Sequence, residues 1–310
     1  MKIYKLLFAA VLSGTILLVN LAVQADNDKN GVVTIVRIQG HAEYSLDGGT
    51  TFIPALVGKY LSAGSILRSG DASIVDVLIG QSPAEKNVTL MKINGKDNPA
   101  PNIPPIRENN MIRLRPNTTL GIDKLLVPES DPTAISDAVL NLKKGRILAS
   151  VKKVSPSSEY FVKIPNGVAA VRGTELDLST DGSSSSCAVV SGTVWLSFSL
   201  TDANGNPVAG ANGQPIPPIQ VTLSPGQSFN LTATLVNQLV STLTAAGAAD
   251  IQGIIQQLDT IATAAVQTLD AGAVGTLTDV LKSVNGPIIT ITGGVGIPTD
   301  SGQQQHTTHP

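Results

Sequence analysis

The stretch FVKIPNGVAAVRGTELDL, Phe161 to Leu178, decides how the rest of the chain is read. Two runs alternate apolar and polar residues at the period of a β-strand, and Asn166-Gly167 between them is turn chemistry. Within GVAAVRGTELDLS a strict period of two fails across Gly173, because Val168, Ala170 and Arg172 do not continue into Glu175 and Asp177. A bulge or kink at Gly173 accounts for this. Glycine admits the positive φ that many bulges need, and a bulge returns Leu176 and Leu178 to the apolar face after Val171. Arg172 then emerges beside the bend, within reach of Glu175, Asp177 or an acidic group on a neighbouring strand. A buried or half-buried arginine left without such a partner costs about 3–5 kcal/mol. Arg172, Gly173 and Thr174 are therefore read as a structural motif in which Arg172 staples strands together, not as a site for a ligand.

Outward from this segment, Gly31 to about Leu231 repeats short β-branched runs punctuated by turn residues. VVTIVRI ends at Gly40, AEYSL meets Asp47-Gly48-Gly49, and SIVDVLI sets Ile74, Asp76 and Leu78 on one face against Val75, Val77 and Ile79. MIRLRP, TTLGI, VLNLKKGRILASV, SCAVVSGTVWLSFSL and IQVTLSPGQSFNL continue the pattern. In VLNLKKGRILASV, Lys143-Lys144-Gly145-Arg146 is read as the solvated tip of a hairpin. Gly80 to Asn110 and Thr201 to Pro218 break the rhythm with Asn, Pro and Gly and are read as insertions. The expected fold class is mainly β, an elongated sandwich or a solenoid-like array of short strands.

After Leu231 the apolar period lengthens to that of a helix. Leu235, Leu239 and Leu243 with Val236 and Val240 form one stripe; Ile251 through Leu269 form a second, with Asp250 as its cap; Leu277, Val280, Leu281 and Val284 form a third, opened by Thr276. These helices either pack on the β region or form an arm for a partner.

The chain has 310 residues, 42% hydrophobic and 14% charged, enough apolar material for a folded body. Twenty-one basic against 23 acidic residues, a formal charge of −2, provide no field for nucleic acid. Aromatic residues are 3%, with the single tryptophan Trp195, which counts against a carbohydrate-stacking module. Lys2 and Lys5, the apolar run from Leu6 to about Leu21 and Val23-Gln24-Ala25 have the layout of a cleaved secretory signal. No later apolar run reaches membrane-spanning length, so an exported product that is soluble or peripherally held is expected. One cysteine, Cys187, can form no internal disulfide.

Catalysis requires a nucleophile, a proton-transfer group or a metal held by converging side chains. The histidines are His41, at a strand start, and His306 and His309 in a polar tail; no G-x-S-x-G, G-x-G-x-x-G or P-loop pattern occurs. Cys187 lies in a strand-like run and reads as a small buried apolar residue. Asp71, Asp76, Glu175 and Asp177 fall where turns or exposed strand faces place carboxylates. No enzyme, cofactor or metal site is expected.

F-V-K-I-P-N-G-V-A-A-V-R-G-T-E-L-D-L resembles the hallmark of FecR domains, the periplasmic sensor domains of ferric-citrate-type regulators, in which a strand ending in proline precedes A-x-V-R-G-T and a further strand. G-K-Y-L-S-A-G-S-I-L-R-S-G-D-A-S-I-V-D-V-L-I, M-I-R-L-R-P-N-T-T-L, L-N-L-K-K-G-R-I, C-A-V-V-S-G-T-V-W-L and S-P-G-Q resemble further family segments in order, from about Gly31 to Leu231. The resemblance implies an all-β, non-enzymatic domain that works through protein contacts in the envelope. It does not bring the complete three-part regulator with it: the β region follows the signal segment almost directly, so control of a sigma factor by this chain alone is not expected, and a part in such a pathway stays open. The expected organisation is a signal peptide over 1–25, a FecR-like β domain over 26–231 with insertions at 80–110 and 201–218, an α-helical region over 232–286, and a short strand with a disordered tail over 287–310. The expected function is a periplasmic or secreted module that contacts an envelope or outer-membrane protein, without nucleic acid, cofactor or membrane span after signal cleavage. An envelope structural protein that binds glycan or peptidoglycan through its loops is the alternative. The sequence leaves the oligomeric state open.

Overall fold

The computed structural model describes residues 28–80, 89–93, 96–100, 110–128, 135–152, 158–200, 208–209, 216–245 and 251–284. The signal segment 1–25, Asp250, the strand expected near Ile288 and the histidines of the tail lie outside these residues, as does most of both insertions. The strands are β1 (Asp28–Asn30), β2 (Val32–Gln39), β3 (Ala42–Ser45), β4 (Ile53–Pro54), β5 (Tyr60–Leu61), β6 (Ile66–Ser69), β7 (Ile74–Gly80), β8 (Thr89–Ile93), β9 (Lys96–Ala100), β10 (Asn110–Leu114), β11 (Thr119–Pro128), β12 (Asp137–Ser150), β13 (Glu159–Ile164), β14 (Gly167–Thr180), β15 (Ser185–Phe198), β16 (Ile219–Leu223), β17 (Gln227–Leu231) and β18 (Gln267–Thr268). Among the described residues three helices accompany them: α1 (Ala233–Ala245), α2 (Ile251–Ala264) and α3 (Ala271–Val284). The fold is β-rich with a helical C-terminal part. No helix among the described residues is long and apolar enough to cross a membrane.

Three strands of 14 residues, β12, β14 and β15, organise everything else. Each changes partners halfway along. The first half of β12 lies between β11 and β13, parallel to β13, and its second half lies between β10 and β14. The first half of β14 pairs with β13 and its second half with β12; β15 pairs first with β17 and then with β16. Two faces result. The single branched 16-stranded sheet thus divides into two parts that share β12, β14 and β15: the first sheet runs β16, β15, β14, β13, β12, β11, β6, β3, β4, and the second β18, β17, β15, β14, β12, β10, β7, β2, β5. Among the described residues, β8 and β9 pair only with each other.

Side-chain parity shows how the change of face is made. Ala138, Leu140 and Leu142 point inward in β12, and after Gly145 the inward residues are Ile147 and Ala149. In β14 they are Ala169 and Val171, then Thr174, Leu176 and Leu178 beyond Gly173; in β15, Cys187 and Val189, then Val194, Leu196 and Phe198 beyond Gly192. Each glycine inserts one extra residue, and each holds a positive φ: 98° at Gly145, 59° at Gly173 and 79° at Gly192. The expected hairpin tip at Lys143–Arg146 is thus an in-line bulge within one continuous strand. The chain does not reverse there because each half of β12 already has a partner on both sides. The spacing is tight as well: a Cβ on Gly145 would lie 2.4 Å from the Thr118 Cα, and one on Gly192 would lie 2.2 Å from the Gly173 carbonyl oxygen.

The inward faces share one apolar core, which also takes Leu235, Leu239 and Leu243 of α1 and Ile254, Leu258 and Ala262 of α2. Thr232 caps α1 by accepting from the Leu235 amide at 3.2 Å. α2 ends at Ala264, so Leu269 lies beyond it, where its amide donates to the Gly226 carbonyl at 2.7 Å. α3 starts before the expected Thr276, because Asp270 accepts from the Ala273 amide at 2.7 Å and caps it. Its Leu281 packs with Val36, Leu78, Met111 and Leu148 on the outer face of the second sheet. The apolar stripes of the helices are spent on the β body, which excludes a free helical arm over the described residues.

On the same outer face, Asp76 is 3% exposed and Arg113 4%, the reverse of the exposed position expected for Asp76. Arg113 Nε donates to Asp76 Oδ1 at 2.7 Å and Nη2 to Oδ2 at 2.9 Å, with Arg37 on the other side at 3.6 Å. A buried fork of this kind destabilises severely when one member is removed, because the other charge stays behind. Asp76→Ala is expected to lower the unfolding free energy by about 3–5 kcal/mol, measured by urea denaturation. A loss under about 1 kcal/mol, the value of a surface pair, would contradict this account.

Candidate functional site: the outer face of the first sheet

The strand-turn-strand stretch read first in the sequence folds as β13, a two-residue turn and β14, in the middle of the first sheet. Registers across four ladders line up one row of outward residues: Val139 opposite Phe161, Phe161 opposite Ala170, Ala170 opposite Trp195 and Trp195 opposite Thr222. The intervening residues, among them Leu140, Val162, Ala169 and Leu196, are buried in the core, so alternation alone forces this row outward. Trp195 is 43% exposed, although tryptophan is among the costliest side chains to leave in water. Beside the row, an open depression of about 590 Å³ is lined by Val139, Phe161, Lys163, Pro165, Asn166 and Val168, among others. Lys163 Nζ donates to Asp123 Oδ2 at 2.9 Å at its rim.

The R-G-T residues stand at the end of this face. Arg172 is exposed and pairs in register with Thr193, next along the strand from the Trp195 row. Gly173 takes the bulge, with the register slipping between Arg172 and Glu175. Thr174 is buried, and its hydroxyl donates to the Thr193 carbonyl at 2.9 Å across the bend. The carboxylates expected near Arg172 also bind elsewhere. Asp177 accepts from Arg146 Nε at 2.8 Å, and Glu175 accepts from the Ser191 hydroxyl at 3.2 Å.

Other motif residues also serve the backbone. Thr118 Oγ1 accepts from the Arg146 amide at 3.0 Å and donates to the Arg146 carbonyl at 3.1 Å, bridging the turn after β10 to the bend of β12. Asn117 there holds φ 56°, and its Nδ2 donates to Asp71 at 2.9 Å. The Ser73 hydroxyl accepts from the His41 amide at 2.8 Å and donates to the Asp71 carbonyl at 2.9 Å.

Among the described residues, the groups considered for catalysis in the sequence do not converge. His41 is exposed and pairs with Glu43 at 3.3 Å. Asp71, Asp76, Glu175 and Asp177 each have the separate partner described above. Among the described residues no three histidine, cysteine or acidic side chains gather in a form that could hold a metal. Cys187 is buried, and that burial, with a smaller contribution from Asp177, pushes its thiol up to about 12.

All three bend glycines lie within residues 105–195, which match the family model described as FecR protein. The chain carries a FecR domain. The match spans β10 to most of β15, and FecR domains are regulatory, non-enzymatic modules typical of the cell envelope. No curated protein matches the chain. Among solved structures, two of a "putative anti-sigma factor" from Parabacteroides distasonis are similar at 11% and 10% identity, each with a TM-score of 0.27 over 40% of this chain. The matched part is 46% of that protein, so the chain spans less than half its length, and a superposition this loose carries no structural argument.

With its thiol held near 12, Cys187 carries almost no thiolate at pH 8 and is expected to resist iodoacetamide in the folded protein while reacting fully in denaturant. Mass spectrometry checks this, and rapid native alkylation would show the site to be open.

Proposed function

We propose that the chain is an exported, non-enzymatic FecR module that regulates by binding another protein of the cell envelope, and that the row Val139, Phe161, Ala170, Trp195 is the contact face. Its place of work is the periplasm or beyond, with residues 1–25 removed as a signal peptide. One observation carries the choice of face: the only tryptophan stands in solvent, in register with a phenylalanine, on a sheet face to which no described helix packs. The second sheet's outer face is covered by α3, and the β16 edge is met by α2, where Asp259 accepts from the Gln220 amide at 3.4 Å. An aromatic anchor within a small apolar patch, rimmed by polar residues such as Lys163, Asn166 and Thr222, is the usual make-up of a protein contact.

Because α1 and α2 contribute to the common core, removing everything after Leu231 would disturb the β body itself, so point substitutions are the cleaner test. A photo-crosslinking amino acid at position 195 is expected to capture one envelope protein in cells, while the same group on the solvent side of α3, at Asp279, captures none. Equal yields at the two positions would refute the assignment. A Trp195 emission shift with soluble peptidoglycan fragments and no protein adduct would favour the glycan reading.

Arg172, Gly173 and Thr174 remain in this proposal a structural motif. Thr174 and Gly173 carry most of it, since an arginine in solvent gains little from an ion pair. Arg172→Ala is expected to move the unfolding free energy by less than about 1 kcal/mol and to leave crosslinking at position 195 unchanged. Loss of the adduct with unchanged stability would place Arg172 in the contact instead.

A further inference from the structure

Far along the sheet order from the Trp195 row, the chain passes from β4, an edge of the first sheet, to β5, an edge of the second, through Ala55 to Lys59. Of the six large apolar side chains exposed among the described residues, four fall in this short passage: Ile53 at 44%, Leu56 at 73%, Val57 at 51% and Tyr60 at 36%. Leu56 and Val57 occupy the tip of a turn closed by Gly58, whose φ is 87°. The tip is rigidly tied to the body. The Ala55 amide donates to the Ala42 carbonyl at 2.8 Å, Gly58 to Ile35 at 2.7 Å, Ile35 to Lys59 at 3.0 Å and Lys59 to Leu56 at 3.1 Å. These backbone groups are satisfied within the protein, so this part of the turn can enter an apolar medium without stripping them of water.

We propose that this turn is a peripheral membrane contact, with Leu56 and Val57 entering the interfacial region of a bilayer and Lys59 meeting anionic lipid headgroups. Strand addition by a protein is disfavoured, since β4 and β5 are two residues each and Pro54 removes a donor from the first. Local charge selects the lipid. Glu43 is held by Arg68 Nε at 2.6 Å and by His41. Asp47 is turned into its own loop, accepting from the Ser45 hydroxyl and from the Thr50 amide at 3.0 Å and the Thr51 amide at 2.9 Å. Lys59 forms no ion pair among the described residues and sits 4.9 Å over the Tyr44 ring, so the charge offered beside the tip is positive. Tyr60 has the apolar body and polar end that suit the headgroup level. A tip of this size holds a membrane weakly and reversibly, as an addition to the protein contact proposed above.

The test uses the chain from Asp26 onward, which keeps every described residue and leaves out the apolar run of residues 6–21. It is expected to co-sediment with vesicles of phosphatidylglycerol mixed with phosphatidylcholine. Leu56→Asp with Val57→Asp is expected to weaken binding by about tenfold or more, and Lys59→Glu by about fivefold. Both variants should keep the parent's unfolding midpoint and Trp195 emission, which separates this surface from the Trp195 face. Failure of the parent to co-sediment overturns the proposal, as does a double variant that binds as well as the parent. A vesicle-free dimer in sedimentation velocity, lost in the double variant, overturns it in favour of a second copy of the chain.

Discussion

A strand that serves two sheets must turn its side chains over partway, and only an inserted residue does this without breaking the strand. That constraint governs β12, β14 and β15. Regular alternation would send Ile147, Leu176 and Val194 to the solvent side after the crossing, and one extra residue at Gly145, Gly173 or Gly192 restores them to the core. The bends are also packed against other backbone, Gly192 against the Gly173 carbonyl and Gly145 against Thr118. No side chain larger than hydrogen fits at either contact, and a positive φ disfavours any other residue. The remaining motif residues, Thr118, Thr174 and Ser73, bridge main-chain groups at or between turns, which is why so much of the recognisable sequence belongs to architecture.

This division shapes the functional reading. If the motif residues hold strands, the proposed recognition falls to side chains that the architecture leaves outside, among them, on the first sheet, Val139, Phe161, Ala170 and Trp195. The helices decide which outer face stays open. α3 covers the second sheet's apolar residues Leu78, Met111 and Leu148, while the first sheet keeps its own row uncovered by any described helix. The core thereby couples the C-terminal part to the FecR domain, since α1 and α2 supply inward side chains to the same cluster as β14 and β15.

The buried fork between Arg113 and Asp76 shows a different kind of specification. An ion pair in the interior contributes little net stability over a well-packed apolar pair, but it tolerates no misalignment of β7 against β10. Together with Arg37 it pins three adjacent strands in register beside apolar residues that could slip. The sequence hides this pairing: SIVDVLI alone places Asp76 on a face shared with Ile74 and Leu78, and nothing local names Arg113, 37 residues away, as its partner.

What could be read from one dimension is what depends on neighbours along the chain. Alternation in β7 and β14, the failed period at Gly173, the helical stripes after Leu231 and the order of FecR-like segments are all local patterns, and the β-rich fold with C-terminal helices follows from them. The tertiary structure decided whatever depends on partners distant in sequence. Lys143 to Arg146 reads locally as a turn, yet strands on both sides of each half of β12 hold it straight through Gly145. Nothing local places Arg146 beside Asp177, yet the crossing of β12 brings its guanidinium there. Trp195 could be counted in the sequence, but only the alignment of five strands sets it in one outward row with Phe161, because register is a property of paired backbones and not of any single segment.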